Sequence, residues 1–292
     1  MVGTLPPADR GSAFANAPMG IVLATPTGLL VDANPAFTMM LGRSPEDLYG
    51  CSVLDLVHPD DRPAAQEAHA ELVTRRRTMR HETRLLRADG DAVPVQLTSS
   101  WVDGTPDGDP PHLVAIAEDI TERKALEAAL VHRSLHDPLT GLPNRILFGD
   151  RLRHALERGH RERTPTCLLG IDLDGFKEIN DQHGHPVGDA VLVGFAERLT
   201  SVLRASDTAA RVGGDEFSIV CENSERADAE ALAERLRSTL TEPVTVGDVT
   251  IPLGMSIGIG TVGGGTDPEL SYELLIREAD DAMYADKTAR RR

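Results

Sequence analysis

The chain has 292 residues, enough for two domains that each bury a core of their own. Charged residues make up 26% and hydrophobic residues 40%, as in an ordinary globular protein. The 46 acidic residues outnumber the 30 basic ones, which leaves a net charge of −16. That charge argues against a nucleic-acid partner, because phosphate binding needs a basic face. The charge does not exclude a nucleotide substrate, because bound metal ions can reverse the sign of the local electrostatic potential.

The cysteines and the lengths of the apolar runs indicate the cellular compartment of the protein. Cys51, Cys167 and Cys221 form no CxxC pair, so neither a zinc site nor a disulfide framework is indicated. We expect three buried thiols in a reducing cytosol. No apolar run approaches the roughly 18 residues of a membrane span, and no signal peptide is evident. The sequence therefore predicts a cytoplasmic protein without membrane insertion.

The first half of the chain consists of short strands and short helices. Residues 1–12 are expected to be a flexible lead-in. Two strands flank a turn at residues 25–28, and Asn34 or Asp32 then caps a helix that has Pro35 at its first position. Three more strands follow a helical middle. This order predicts a five-stranded antiparallel sheet with helices on one face.

This half resembles a PAS sensor domain. The resemblance rests on residues 28–37 (GLLVDANPAF), 58–61 (HPDD), 87–90 (RADG) and 119–121 (DIT), taken in that order and spacing. It implies a sensor domain over residues 13–118.

The resemblance leaves the ligand of this domain open. Cys51 lies in Gly-Cys-Ser-Val, unlike the cysteine stretch of flavin-binding PAS domains, so flavin is not expected. His69 lies in a predicted helix, 63–73, about where haem-binding members place their iron ligand. The alternative is that His69 sits on a solvated face. We expect His58 to cap a turn instead of binding a ligand.

A run of strong helix formers connects the two halves at residues 119–136. Leu126, Ala129 and Leu130 share one face of this helix. The helix is too short to prove a coiled coil. A plain linker helix packed on its own domain is one interpretation of this segment.

A buried strand at residues 167–171 leads into two acidic residues. Asp172 and Asp174 share one face, because side chains alternate along a strand. Acidic residues at the end of a core strand, with a second acidic pair on a neighbouring hairpin, suit two-metal nucleotidyl chemistry. Taken alone, Asp172 could equally be the N-cap of a helix.

That second pair lies on a predicted hairpin. Gly213 and Gly214 separate two β-forming runs, and we expect a two-residue turn with positive φ at its centre. Such a turn places Asp215 and Glu216 at the start of the return strand. Two carboxylates there favour a hard divalent cation as partner. An acidic surface hairpin is the alternative.

The remaining elements complete the second core. A helical turn at residues 176–179 and an amphipathic helix at 190–203 precede the hairpin. A helix, a hairpin around Gly247, a strand and a last helix follow, at residues 226–240, 244–253, 255–260 and 271–288. The order strand, helix, hairpin, helix, strand predicts a ferredoxin-like α/β sandwich. The fold class of the whole chain is α+β.

Two motifs of this half resemble the GGDEF diguanylate cyclases. One is the pentapeptide at residues 213–217 (GGDEF), and the other is the opening string at 136–145 (HDPLTGLPNR). The resemblance implies a palm-type domain over residues 137–292. It implies a nucleotidyltransferase that condenses two GTP into cyclic di-GMP. Together with the PAS resemblance, it implies that the connector helix at 119–136 pairs with its twin in a homodimer, which is the alternative to a plain linker helix.

The resemblance also implies a role for each matching residue. Asp172, the carbonyl of Leu173 and Asp215 would hold Mg²⁺ or Mn²⁺, with Glu216 supporting the same region, and Asp215 would help remove the 3′-hydroxyl proton. The remaining matches are the catalytic residues Lys177 and Arg211, which would meet the triphosphate and the charge developing at phosphorus, the further phosphate contacts Lys287 and Arg291, and the guanine contacts Asn180 and Asp189, with His185 beside them.

A product-binding site is implied as well. Arg204 and Asp207 form an RxxD motif five residues before Gly213, and Arg235 matches the second arginine of the family's inhibitory site. The alternative is that Arg204 and Asp207, three residues apart, form only an exposed ion pair and bind no ligand, as an isolated RxxD sequence usually does.

Two other functions stay open. One is a catalytically silent receptor for GTP or cyclic di-GMP, and the other is a haem or gas sensor with cyclase output. The sequence fits either a complete chain or a fragment of one that continues into a phosphodiesterase domain.

Overall fold

The computed structural model describes residues 10–106, 108, 110–239 and 242–290. The chain divides by its contacts into two units, Met1–Ala129 and Leu130–Arg292. The predicted boundaries after residues 12, 118 and 136 stay predictions. Most of the predicted lead-in lies outside the described residues, and helix α1 (Arg10–Ala15) begins within its last three positions.

The first unit is built on a five-stranded antiparallel sheet, as predicted. Its strand order is β2-β1-β5-β4-β3. Two short 3₁₀ turns, Val53–Leu56 and Pro59–Asp61, precede its longest helix. The elements are β1 (Gly20–Ala24), β2 (Leu30–Ala33), α2 (Pro35–Leu41), α3 (Pro45–Leu48), α4 (Arg62–Arg75), β3 (Met79–Leu86), β4 (Ala92–Val102) and β5 (His112–Asp119).

Side-chain caps begin two of the helical segments of this unit. Asn34 is fully buried and caps α2: its side-chain oxygen accepts from the amides of Phe37 at 3.0 Å and Ile21 at 2.8 Å. Pro35 occupies the first turn of that helix, as predicted. His58 caps the second 3₁₀ turn by accepting from the amide of Asp60 at 3.4 Å, which confirms its capping role.

An apolar cavity of about 90 Å³ lies between α4 and the sheet. His69 and His81 line it, and the Nε2 atom of His69 is 3.1 Å from the carbonyl oxygen of Pro26. His69 is thus engaged with the backbone at Nε2, and the haem site at this residue stays a prediction.

A bidentate ion pair joins the second 3₁₀ turn to β3. Arg84 donates from Nε and Nη2 to the two carboxylate oxygens of Asp61, at 2.9 and 2.6 Å. The guanidinium lowers the pKa of Asp61 to about 2. Because the carboxylate is then ionised more readily in the folded protein, the pair adds stability at neutral pH, and this contribution is lost as the pH falls from about 4 towards 2.

We expect Asp61→Asn to destabilise the first unit at pH 7 and to approach the wild type between pH 4 and 2. Trp101 is the chain's single tryptophan and belongs to this unit, so urea unfolding followed by its fluorescence measures the effect. Asp60→Asn is the matched control, since Asp60 is largely exposed and lies 3.4 Å from Arg84. Equal midpoints for the two variants at pH 7 would contradict the expectation.

The connector forms helix α5 (Thr121–Leu135). Its first turns are bound to the sheet of the first unit, because Arg123 and Lys124 contact the carboxylate of Glu82 on β3 at 2.8 and 2.6 Å. Leu126 and Leu130 are exposed to 58% and 66%. The helix thus packs in part on its own domain and still presents an uncovered apolar face.

The second unit contains a four-stranded sheet in the order β11-β6-β8-β7 and a small hairpin, β9–β10. This order confirms the ferredoxin-like prediction. The elements are α6 (Arg145–Glu162), β6 (Thr166–Asp174), α7 (Phe176–His183), α8 (His185–Ser201), β7 (Thr208–Arg211), β8 (Glu216–Glu222), α9 (Arg226–Thr239), β9 (Val244–Val246), β10 (Val249–Ile251), β11 (Gly254–Val262) and α10 (Pro268–Arg290).

The two faces of this sheet pack on different helices. Leu169, Ile171 and Phe217 face α8 and α9, whereas Leu168 and Val220 face α6 and α10. Strand β6 lies between β11 and β8 and is buried along all but its last residue. The end of β6 is therefore the point at which the core meets the surface.

Three sequence expectations need correction. Helix α8 begins at His185 instead of residue 190, because Gly184 adopts a φ of +84° that ends α7 and Pro186 suits the first turn of the next helix. Cys51 is only partly buried, whereas Cys167 and Cys221 are buried. Helix α10 starts at Pro268, ahead of the predicted residue 271.

Within the described part of the chain, no helix has the length and apolar character needed to cross a bilayer.

Candidate active site at the end of the central strand

Acidic residues from two strands meet at the end of β6. Asp172 pairs across the ladder with Glu216 of β8, and the amide of Leu173 donates to the carbonyl of Asp215 at 3.2 Å. Directly opposed residues on antiparallel strands have Cα atoms about 4.5 to 5.5 Å apart. The side chain of Asp172 is only 11% exposed. Backbone pairing therefore brings Asp172, Asp215 and Glu216 to neighbouring positions at the end of β6.

The turn that carries Asp215 differs from the predicted one. The amides of Val212 and Gly213 both donate to the carbonyl of Glu216, at 3.0 and 3.3 Å, which leaves three residues at the tip. Neither Gly213 nor Gly214 has φ in the left-handed range, so the expected two-residue primed turn is wrong. A Cβ on Gly213 would lie 2.7 Å from Glu216 Oε2, whereas one on Gly214 would meet nothing within 4 Å. The tip is thus open to the approach of a ligand.

Arg211, which is largely buried, is hydrogen-bonded to this turn. Its Nε and Nη2 atoms donate to the carbonyl of Gly214 at 3.1 and 2.7 Å, and Nη1 donates to Asp137 at 2.9 Å. Burial opposes ionisation of Asp137, but hydrogen bonds from Thr140 and the Arg211 guanidinium lower its pKa overall. Arg211 is therefore engaged with the turn and with Asp137. Sequence reasoning missed Asp137 as its partner, although Asp137 lies in the opening string of this half.

Lys287 supplies the positive charge nearest to the buried carboxylate. Its Nζ atom donates to Asp172 Oδ1 at 2.6 Å, and its side chain is 27% exposed. Sequence reasoning placed Lys287 at a triphosphate, whereas here it neutralises a predicted metal ligand. Arg291, the other predicted phosphate contact on this helix, lies outside the described residues.

The predicted guanine contacts lie where α7 meets α8. A Cβ on Gly188 of α8 would be 2.0 Å from Asn180 Oδ1, so the two helices touch at this point. His185 and Asp189 are exposed in the first turns of α8, and Lys177 is exposed in the first turn of α7. The three predicted guanine contacts thus share one junction, and Lys177 lies one turn of helix from Asn180.

The predicted inhibitory residues surround the loop between α8 and β7. Asp207 accepts from the backbone amide of Arg204 at 3.1 Å, and Arg235 donates to the carbonyl of Val202 at 3.3 Å. Arg204 and Asp207 line an open cavity of about 570 Å³ together with Arg151 of α6. Sequence reasoning missed Arg151, because nothing in its local pattern indicates that α6 faces this loop.

The acidic position fits a magnesium ion. Among the residues described, no group of three or more His, Cys, Asp or Glu side chains is placed to hold a metal. Magnesium does not require such a group, since one or two carboxylates, water and substrate phosphates complete its octahedral shell. Asp172 is buried and already binds a cation, the ammonium of Lys287, which shows that the position suits positive charge.

Comparison with known families identifies the chain. The family model "Diguanylate cyclase, GGDEF domain" matches residues 134–292, and the model "PAS fold" matches residues 30–117. The chain belongs to the GGDEF family and carries a PAS domain ahead of its GGDEF domain.

Relatives and a solved structure agree with this assignment. MucR of Pseudomonas aeruginosa, a bifunctional diguanylate cyclase/cyclic di-GMP phosphodiesterase, is 44% identical over 155 residues, which are 53% of this chain and 22% of MucR. An uncharacterized signaling protein of Caulobacter vibrioides is 35% identical over 289 residues, 97% of this chain and 34% of that protein. The chain thus spans about a fifth to a third of the length of these curated relatives.

The solved structure is the coiled coil and GGDEF domain of DgcB from Caulobacter crescentus in complex with c-di-GMP. It is 27% identical, with a TM-score of 0.52, and the match covers 57% of this chain and 87% of that one.

Proposed function

We propose that this chain is a diguanylate cyclase, which joins two GTP molecules into cyclic di-GMP and releases two pyrophosphates. The observation that carries the proposal is the meeting of Asp172, Asp215 and Glu216 at the end of β6 in a chain of the GGDEF family. MucR, whose name includes this activity, supports it. A GTP substrate also favours a cytoplasmic location.

Asp172, the carbonyl of Leu173 and Asp215 would hold Mg²⁺ or Mn²⁺, with Glu216 beside them. When bound, the ion supplies charge neutralisation for the triphosphate and for the transition state of phosphoryl transfer. Asp215 would accept the proton of the 3′-hydroxyl group. Arg211 keeps Asp215 in place, because its guanidinium holds the carbonyl of the preceding Gly214.

Cationic side chains and the α7–α8 junction would bind the substrate. Lys177 and Lys287 would meet the triphosphate, as would Arg291. Asn180 and Asp189 would read the guanine edge, with His185 nearby. A carboxylate accepts from N1–H and the amino group of guanine, whereas adenine presents an acceptor at N1 and leaves the carboxylate unpaired, so adenine is rejected.

The reaction would require a homodimer. Each 3′-hydroxyl group attacks the α-phosphorus of the other GTP, and one domain holds one GTP, so two domains must face each other. The exposed Leu126 and Leu130 of α5 suit pairing with a second copy. The PAS domain would then control how the two cyclase domains meet.

The test is incubation of the purified full chain with GTP and Mg²⁺, followed by chromatography. We expect cyclic di-GMP and pyrophosphate. GTP that is bound but left intact would contradict the proposal and favour a silent receptor instead.

We further propose that cyclic di-GMP inhibits the enzyme at Arg204, Asp207 and Arg235. Support comes from the shared loop of these residues and from the c-di-GMP complex of DgcB. Arg204→Ala is expected to raise the concentration of cyclic di-GMP that halves the rate by roughly tenfold, because one charged phosphate contact is worth about 1.5 kcal/mol or more. The initial rate without product should stay unchanged. Arg277→Ala, an exposed arginine of α10, is the control; equal inhibition of both variants would refute the site.

A further inference from the structure

Helix α10 carries two carboxylates to the free edge of the sheet. Asp286 Oδ2 accepts from the amide of Ile257 at 3.0 Å, and Glu278 Oε2 accepts from the amide of Thr261 at 2.9 Å. Both amides belong to β11, an edge strand. The eight helical residues from Glu278 to Asp286 span about 12 Å, and the four strand residues from Ile257 to Thr261 span about 13 Å. The spacing of the two carboxylates therefore matches the spacing of the two amides. The carboxylates therefore fix how far α10 slides along β11.

Asp286 has two arginine partners as well, whereas Glu278 has one, the more distant Arg226 of α9 at 3.9 Å. Arg237 of α9 donates to Asp286 at 3.1 Å, and Arg290 donates from the next turn of α10 at 3.2 Å. Helices α9 and α10 cover opposite faces of the sheet, so Asp286 joins them around its edge. Burial opposes ionisation of Asp286, but the Ile257 amide and the two arginines outweigh it and lower its pKa.

The residue after Asp286 is Lys287, which contacts Asp172. The two residues are neighbours on α10, so a contact that fixes the backbone at Asp286 also fixes it at Lys287. We propose that Asp286 is a positioning residue for Lys287: it anchors this part of α10 to β11 and α9, so that the ammonium of Lys287 stays at the nucleotide site. The inference rests on the proposed function, which places Lys287 in that site.

The test compares Asp286→Asn with Glu278→Gln in the full chain. Each variant keeps an acceptor for its β11 amide and loses a charge. Asp286→Asn is expected to raise KM for GTP roughly tenfold, since small misplacements of binding groups are costly, with a smaller change in kcat. Glu278→Gln should change KM less than twofold. The affinity for a non-hydrolysable GTP analogue, measured by calorimetry, should follow KM in both variants.

A double variant separates positioning from general stability. If Asp286 acts through Lys287, adding Asp286→Asn to Lys287→Met should raise KM no further. Full additivity in the double variant, or equal KM values for Asp286→Asn and Glu278→Gln, would overturn the proposal.

If Asp286→Asn fails to fold, Arg237→Met is the second variant, because it removes one partner of Asp286 and keeps the Ile257 contact. It should also raise KM, and an unchanged KM would overturn the proposal. A wild type that neither binds nor converts GTP would instead overturn the proposed function.

Discussion

Replacing Asp215 by alanine is expected to lower the rate of cyclic di-GMP formation by roughly 10³-fold or more, because the change removes a metal ligand and a proton acceptor together. The fold should survive. The contact that Asp215 makes to β6 uses its backbone carbonyl, which accepts from the amide of Leu173 and is kept in the variant. The loss should therefore lie in catalysis and not in stability.

The measurement is product formation from GTP and Mg²⁺, together with thermal unfolding of both proteins. Asp248→Ala is the matched control, because Asp248 is an exposed acid in the turn between β9 and β10. We expect the control to form product at the wild-type rate. Equal rates for Asp215→Ala and the wild type would mean that the acidic turn does not carry the reaction.

Gly258→Ala is expected to destabilise the second unit by about 3 kcal/mol or more, because the new methyl group has no space. A Cβ on Gly258 would lie 2.0 Å from the carbonyl oxygen of Ala279 and 2.2 Å from the amide nitrogen of Met283. Both atoms belong to the backbone of α10 and cannot rotate away. Helix α10 would have to move off β11 and would carry Lys287 with it, so GTP turnover should fall as well.

Two optical signals separate the units in this experiment. Circular dichroism reports helices of both units, whereas the fluorescence of Trp101 reports the first unit only. We expect Gly258→Ala to move a urea transition seen by circular dichroism and to leave the Trp101 transition in place. Gly263→Ala, where a Cβ would meet nothing within 4 Å, should change the free energy of unfolding by less than about 0.5 kcal/mol. Equal midpoints for the two variants would refute the close packing of α10.

The amino-acid sequence by itself determined the elements whose signals are local. The apolar run before Asp172 predicts the central strand, Pro35 after a cap at Asn34 or Asp32 predicts the start of α2, and Gly247 predicts the β9–β10 hairpin; the structure contains all three, with Asn34 as the cap. The family could also be assigned from the motifs at residues 136–145 and 213–217, and the family comparison confirmed it. These elements can be predicted because a helix cap, a turn or the burial pattern of a strand depends mainly on residues that are adjacent in the sequence.

Only the tertiary structure decided which distant groups meet. Arg211 bonds to Asp137, 74 residues away, and Lys287 bonds to Asp172, 115 residues away. The conformation of the turn at Gly213 and the narrow cavity beside His69 were likewise beyond sequence reasoning. The physical reason is that such contacts depend on which faces of the elements pack together and how closely, whereas a local pattern specifies only that a face is apolar or charged.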